Sequence, residues 1–273
     1  MSSTSNDSLF HNSTKPFKIV VFDLDETLGY FVEFGTFWNA IEAYKKTALT
    51  QTDFNATLDL YPEFIRPNIL SVLKFLKIKK KNKKCSHLMI YTNNQGPKEW
   101  AQFIKTYFET KLNSNLFDRI IGAFKINGKQ IEFCRTTHNK THSDFIKCTK
   151  VPKNSQICFL DDVYHEDMKN DNVYYINIHP YVYDLPYQVM IDRYIDAGFV
   201  EIQDHEDFNN FVINYVNKYN HTIVAKDMDE YAVDKILTKQ ILHHMQIFFN
   251  KNMGNSITRK SKRYNNITLK NRV

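Results

Sequence analysis

Apolar positions along the chain fall into short unbroken runs that alternate with longer helical stripes. Residues 19–22, 87–91 (HLMIY), 156–160 (QICFL) and 173–178 (VYYINI) are runs rich in β-branched and aromatic types, with almost no polar alternation. Such runs predict strands buried on both faces of a parallel sheet. A further strand is expected at 119–124 (RIIGAF), and Asn127-Gly128 marks a turn before 130–133. Between the strands the period lengthens. Pro67 opens a helix in which Ile69, Val72, Leu73 and Leu76 repeat at i, i+3, i+4 and i+7, and Pro97 opens another with Trp100, Phe103, Ile104, Tyr107 and Phe108 on one face. Helices are also expected at 36–47, 143–148 and 207–219, whereas 51–60 carries little pattern. A long amphipathic stretch, about 229–249, sets Leu237, Ile241, Met245 and Phe248 on one side.

This rhythm of strand and helix predicts an α/β fold with a doubly wound, mostly parallel sheet. The expected domain covers 17–225, followed by a helix over 226–250. Residues 29–61, placed directly after the first strand and too few for a domain of their own, suit a small helical cap over a site. The Ser/Thr/Asn-rich residues 1–16 and the basic residues 251–273 lack apolar periodicity and are expected to be disordered.

Composition changes this picture at a few points. The chain has 273 residues, enough for one medium domain with extensions, and its 42% apolar and 24% charged content is ordinary for a soluble protein. Abundant Asn, 16 Tyr and 21 Phe against only 7 Gly and 7 Pro suggest nucleotide bias, so single Asn, Lys or Tyr residues carry little weight. The net charge of +6 is concentrated in 77–84 (KIKKKNKK) and in the tail 259–272. Nucleic acid is therefore an expected partner of the tail, with a solvated basic surface as the alternative. No window approaches 18 continuous apolar residues and 1–16 is too polar for a signal peptide, so no membrane partner is expected. Four cysteines without a CxxC pair predict reduced thiols in a cytoplasmic or nuclear compartment, and the N-x-S/T sequons are then chance.

The strand ends carry the chemistry. Asp23 and Asp25 follow the first strand, Thr92 and Asn93 the second, Asp161 and Asp162 the run at 156–160, and Lys140 lies between the last two. Ligands of open α/β sheets bind outside the carboxyl ends of the strands, where paired carboxylates are placed to meet a cation or a phosphate. Cys134, His138, His142 and Cys148 can be drawn as a zinc set, but C-x3-H-x3-H-x5-C is not a common zinc spacing, and a loop is the expected reading.

FDLDETL, MIYTNN, Lys140 and FLDD occur in the order of the four motifs of the haloacid dehalogenase (HAD) superfamily, which residues 18–180 resemble. DLDETL with Arg66-Pro67 later looks like the phosphatases of the RNA polymerase II carboxy-terminal domain. The stretch from RTTHNKT to FLDDVYH is similar to HAD-like proteins of large nucleocytoplasmic DNA viruses, which would put the protein in a host cell or virion. The resemblance implies a three-layer Rossmannoid sandwich and a Mg²⁺-dependent phosphatase with Asp23 as nucleophile and Asp25 as general acid and base. Thr92, Asn93 and Lys140 would bind the phosphoryl group. The metal ligands would be Asp23, the backbone carbonyl of Asp25 and Asp162, with Asp162 ahead of Asp161, and Thr27 would play a supporting part. The cation is needed because a phosphate ester repels a carboxylate nucleophile, and Mg²⁺ prefers hard oxygen ligands. A phosphoprotein is the first expected substrate. Nucleic-acid ends or nucleotides form the second reading, and a non-catalytic binding module the third.

Overall fold

Lys18–Phe22 forms β1, and its side chains divide by parity between two apolar layers. Val20 and Phe22 face one layer, Ile19 and Val21 the other. This is what an unbroken apolar run requires, since both faces of the strand are covered. A computed structural model describes residues 17–219, 223 and 226–251, together with the backbone of 266–269.

The chain continues through α1 (Val32–Lys45), α2 (Gln51–Asp59) and α3 (Ile69–Lys81) to β2 (His87–Tyr91), then α4 (Lys98–Leu112) and β3 (Arg119–Ile121). A two-stranded hairpin, β4 (Lys125–Ile126) and β5 (Lys129–Gln130), turns at Asn127-Gly128, where both residues have positive φ, 50° and 77°. The expected strand over 119–124 is thus cut to three residues, and the extended stretch at 130–133 is reduced to the end of this hairpin. Next come α5 (His142–Thr149), β6 (Gln156–Asp161), β7 (Val173–Ile178), α6 (Tyr187–Asp196), α7 (His205–Val216), α8 (Met228–Asn250) and β8 (Asn266–Leu269).

The central sheet runs β3-β2-β1-β6-β7 with every pair parallel, and helices cover both faces. The chain is therefore an α/β protein with a parallel sheet, as the rhythm of runs and stripes predicts. Most helices lie on the face of Val20, Phe22, Ile90 and Leu160, while α5 covers the other through Phe145 and Cys148. β8 extends the sheet beyond β7. These four residues fall in the stretch expected to be disordered, and they pair because Ile176 and Ile178 of β7 offer their backbone to Ile267 and Leu269 in register. The disorder expected of 1–16, and of the tail at 252–265 and 270–273, lies outside the described residues, as does most of the basic segment 259–272.

The expected cap over 29–61 is helical, but it is not a detached lid. Phe34, Phe37, Trp38, Phe54 and Tyr61 belong to the same core as α3, α4, α6 and α7, and Phe54 stacks on Phe103 of α4 at 5.2 Å. So many aromatics in one short segment cannot stay in solvent, and they pull it into the helical layer. The lysine run is likewise partly used by the fold. Lys77 donates to Leu112 O at 2.7 Å, Lys80 pairs with Asp118 at 2.8 Å, and Lys79 lies over Phe75. Among the described residues no helix is long and apolar enough to cross a membrane.

Candidate active site

β1 has β2 on one side and β6 on the other, so the crevice at their carboxyl ends is the topological switch point of the sheet. Phe22 pairs with Ile90 and with Leu160, which brings the residues that follow to one level. Asp23, the first residue past β1, stays tied to β6 through Asp23 N–H to Leu160 O at 2.9 Å. The chain then turns sharply. Leu28 N–H closes on Leu24 O at 2.9 Å, and Glu26 takes a left-handed φ of 57°. The buried guanidinium of Arg66 holds this turn, donating to Thr27 O at 2.7 Å, Glu26 O at 2.5 Å and His179 O at 2.8 Å.

Lys140 is the centre of the charge arrangement. Its ammonium is 2% exposed and donates to Asp23 Oδ1 and, at 2.7 Å, to Asp161 Oδ2. Burial alone would lower its pKa, but the two carboxylates outweigh that and raise it, so the side chain is held as a cation. Asp161 accepts a second bond on Oδ1 from Val163 N–H at 2.9 Å, so both of its oxygens are engaged. Asp162 is more open. Its Oδ1 accepts from Thr27 Oγ1 at 3.1 Å, and Asn177 Nδ2 fixes the backbone beneath it through the carbonyls of Asp161 and Asp162, at 3.1 and 2.8 Å.

No protein-family model matches the chain, and no curated protein matches it either. The site is therefore read from its own geometry.

On the β2 side, Thr92 is buried, and its hydroxyl accepts Asn94 N–H at 2.9 Å, which leaves the hydroxyl proton to be donated. Asn94 in turn donates to Asp25 Oδ2 at 2.7 Å. The other oxygen of Asp25, Oδ1, is buried and has no hydrogen-bond partner among the described residues. Burial, reinforced by the nearby charge of Asp23, raises the Asp25 pKa to about 7. Asp25 is thus a carboxyl group poised to hold or release a proton near neutrality. Asp162 is also raised, by burial first and by Asp23 second. His165 is pushed down to about 4 by burial and by the cations of Lys140 and Arg135. As a neutral imidazole it accepts the Lys140 backbone N–H on Nδ1 at 3.4 Å.

Asp23, Asp25, Thr92, Lys140, Asp161 and Asp162, singled out from four separate strand ends and loops, therefore meet in one crevice. Asn93 sits beside them with an exposed side chain, but its Oδ1 is taken by Arg135 Nη2 at 2.8 Å. Ligand atoms of Asp23, Asp161 and Asp162 lie within 4.8 Å of one another. With both Asp161 oxygens satisfied, Asp23 and Asp162 are the better pair for a cation. Asn94, Arg66, Arg135, His165 and Asn177 are supporting residues that sequence reasoning missed. Asn94 closes the Thr92-Asn93-Asn94 triplet, Arg66 stands in Arg66-Pro67, and Arg135 and His165 stand in RTTHNKT and FLDDVYH, but nothing local in these stretches marks which of their residues support the site.

The cysteines depart from expectation. Cys134 and Cys148 form a disulfide with Cα atoms 5.0 Å apart, instead of the reduced thiols expected from their number and spacing. The turn into α5 brings the two ends of this segment together, which linear spacing does not reveal. His138 lies against the Phe124 ring at 5.3 Å, so the drawn zinc set is not assembled. Cys85 and Cys158 are free and buried.

Two cavities flank the 94–97 loop. One of about 740 Å³ runs from Thr92 and Asn94 along β3 to Ile126 and Ile131, and one of about 400 Å³ is lined by Phe31, Trp38 and Trp100.

Proposed function

We propose that the protein is a Mg²⁺-dependent phosphatase of the HAD type, hydrolysing a phosphate monoester through an aspartyl-phosphate on Asp23. The observation that carries this reading is the pairing of Asp23 with the buried Lys140 ammonium, with a proton-holding Asp25 two residues away. An isolated structural ion pair would not need a third carboxylate whose second oxygen is buried and unpartnered.

The donor set fits a hard cation. Asp23 and Asp162 are carboxylates, clustered beside a single ammonium that offsets only part of their charge. These two residues would hold Mg²⁺, together with the Asp25 backbone carbonyl. When bound, the ion supplies charge neutralisation that lets an anionic phosphate approach an anionic nucleophile.

The chain's own residues account for the rest. A carboxylate oxygen of Asp23 attacks phosphorus, and the bond from phosphorus to the leaving oxygen breaks as Asp25 gives that oxygen its proton. Water then attacks phosphorus while Asp25 takes its proton, the bond to Asp23 breaks, and inorganic phosphate leaves. Thr92 O–H and Lys140 N–H donate to phosphoryl oxygens throughout.

For the substrate, a phosphorylated protein segment is the reading supported best. The larger cavity joins the site at Thr92 and carries Glu99, Asp118 and Glu132 beside Lys105 and Arg119, a mixed wall with no basic track for a polynucleotide. The test is hydrolysis of an aryl phosphate with and without Mg²⁺ by the wild type and by Asp23→Asn. Activity lost on chelation and abolished by Asp23→Asn supports the reading. Activity that survives either change overturns it.

A further inference from the structure

We propose that Arg135 is a positioning residue of this site, one that sets the distance between the Thr92 hydroxyl and the Lys140 ammonium; the proposal rests on the phosphatase reading above. Arg135 is 1% exposed and donates to none of the four site acids, Asp23, Asp25, Asp161 and Asp162. Nη1 donates to Thr92 O at 3.2 Å and to Gly122 O at 2.8 Å. Nη2 donates to Asn93 Oδ1 at 2.8 Å, His138 O at 2.8 Å and Asn139 O at 3.3 Å. These acceptors belong to three separate segments: the exit of β2, the exit of β3, and the loop that delivers Lys140. The guanidinium carbon lies 4.8 Å from the centre of the Tyr91 ring, and the Lys140 ammonium lies 5.9 Å from the same ring.

Burying a cation whose hydrogen bonds go only to carbonyls and one amide is expensive, and an apolar side chain would fill the space at less cost. What an apolar side chain lacks is the planar fork. The Nη1 and Nη2 donors, in fixed directions, hold three chain segments in one mutual arrangement while Nε stays without a partner among the described residues, and a lysine, as a compact point charge, cannot do this. Thr92 follows β2, Lys140 comes from the loop before α5, and no strand ladder joins these two segments among the described residues; Arg135 hydrogen-bonds to both. A displacement of about 1 Å in such a pair lowers a rate by about 10²-fold.

The experiment compares Arg135→Lys and Arg135→Gln with the wild type. Turnover of an aryl phosphate with Mg²⁺ is measured per folded molecule, and amide hydrogen exchange is measured on the same samples. The expected result is a kcat about 10²-fold lower in both variants, with exchange protection lost at 92–94 and 138–141 and kept in β1 and β6. Unchanged kcat in folded Arg135→Lys overturns the proposal, because a packing or charge role would survive that change. If Arg135→Gln is recovered unfolded, Arg135→Lys carries both measurements. If the wild type hydrolyses no phosphate, the function proposed above falls, and exchange alone decides: loss confined to those two segments upholds the positioning role, and uniform or absent loss overturns it.

Discussion

Replacing Lys140 with Met removes the one ammonium that contacts Asp23 and Asp161 among the described residues while keeping most of the side-chain volume. At about 3 Å and an effective dielectric near 20, each such contact is worth roughly 5 kcal/mol before desolvation is subtracted. Removing one partner of a buried pair leaves uncompensated charge and costs about 3–5 kcal/mol. That cost depends on pH. Burial already raises the Asp161 carboxyl with the ammonium in place, and without the ammonium it rises further above the unfolded chain's, so the native variant binds a proton that the unfolded chain does not. Its stability is then greatest in acid and falls as pH rises. One proton taken up between pH 8 and pH 5 returns up to about 4 kcal/mol. Urea unfolding in the presence of a chelator, followed by the fluorescence of the buried Trp38 and Trp100, measures this directly. Lys140→Met is expected to lose about 3–5 kcal/mol relative to wild type at pH 8, and to regain most of it at pH 5. Equal losses at both pH values, or a loss below about 1 kcal/mol at pH 8, would refute the reasoning.

Asp25→Asn is expected to lower turnover of an alkyl phosphate by about 10²–10⁴-fold, and of an aryl phosphate by much less, because a good leaving group needs no proton. With burial raising Asp25 to about 7, wild-type kcat/KM for the alkyl ester should fall above that pH, and this limb should be absent in the variant. Added Mg²⁺ should raise the melting temperature more at neutral than at acidic pH, since a raised Asp162 must lose its proton to bind; at 100-fold excess over Kd the gain is about 2.7 kcal/mol. Equal gains at both pH values would contradict that. Cys148→Ser, which opens a bridge spanning 14 residues, is expected to reduce stability by about 3 kcal/mol in denaturant titrations under oxidising conditions, and to have no effect when reductant is present.

The parts of the fold legible in the sequence are those whose signal is local. The unbroken runs of β1, β2, β6 and β7 and the stripes of α3 and α4 appear close to where their periodicity puts them. Two helices, α2 and α6, fall outside the predicted stripes although local signals for them are present. Thr50 and Asp53 form a capping box that starts α2, and Tyr187, Met190, Ile191 and Tyr194 repeat at helical spacing after Pro186 in α6. Other features depend on distant partners and have no local signature. Arg66 and Arg135 look like ordinary basic residues until the carbonyls of five loops converge on them. The aromatic segment after β1 reads as a lid because it follows the acids, and only the shared core with α4 and α7 reveals it as part of the helical layer. For the acids the order was reversed. Asp161 and Asp162 are indistinguishable in sequence, whereas their hydrogen bonds separate them: Asp161 holds Lys140 and Val163 N–H, and Asp162 takes the Thr27 hydroxyl.

The most direct measurement is mass spectrometry of the protein quenched in acid during turnover of a phosphate monoester with Mg²⁺. Phosphate is expected on the peptide containing Asp23, removable by hydroxylamine and absent from Asp23→Asn. Turnover without that label, or a label on any other residue, would contradict a nucleophilic Asp23.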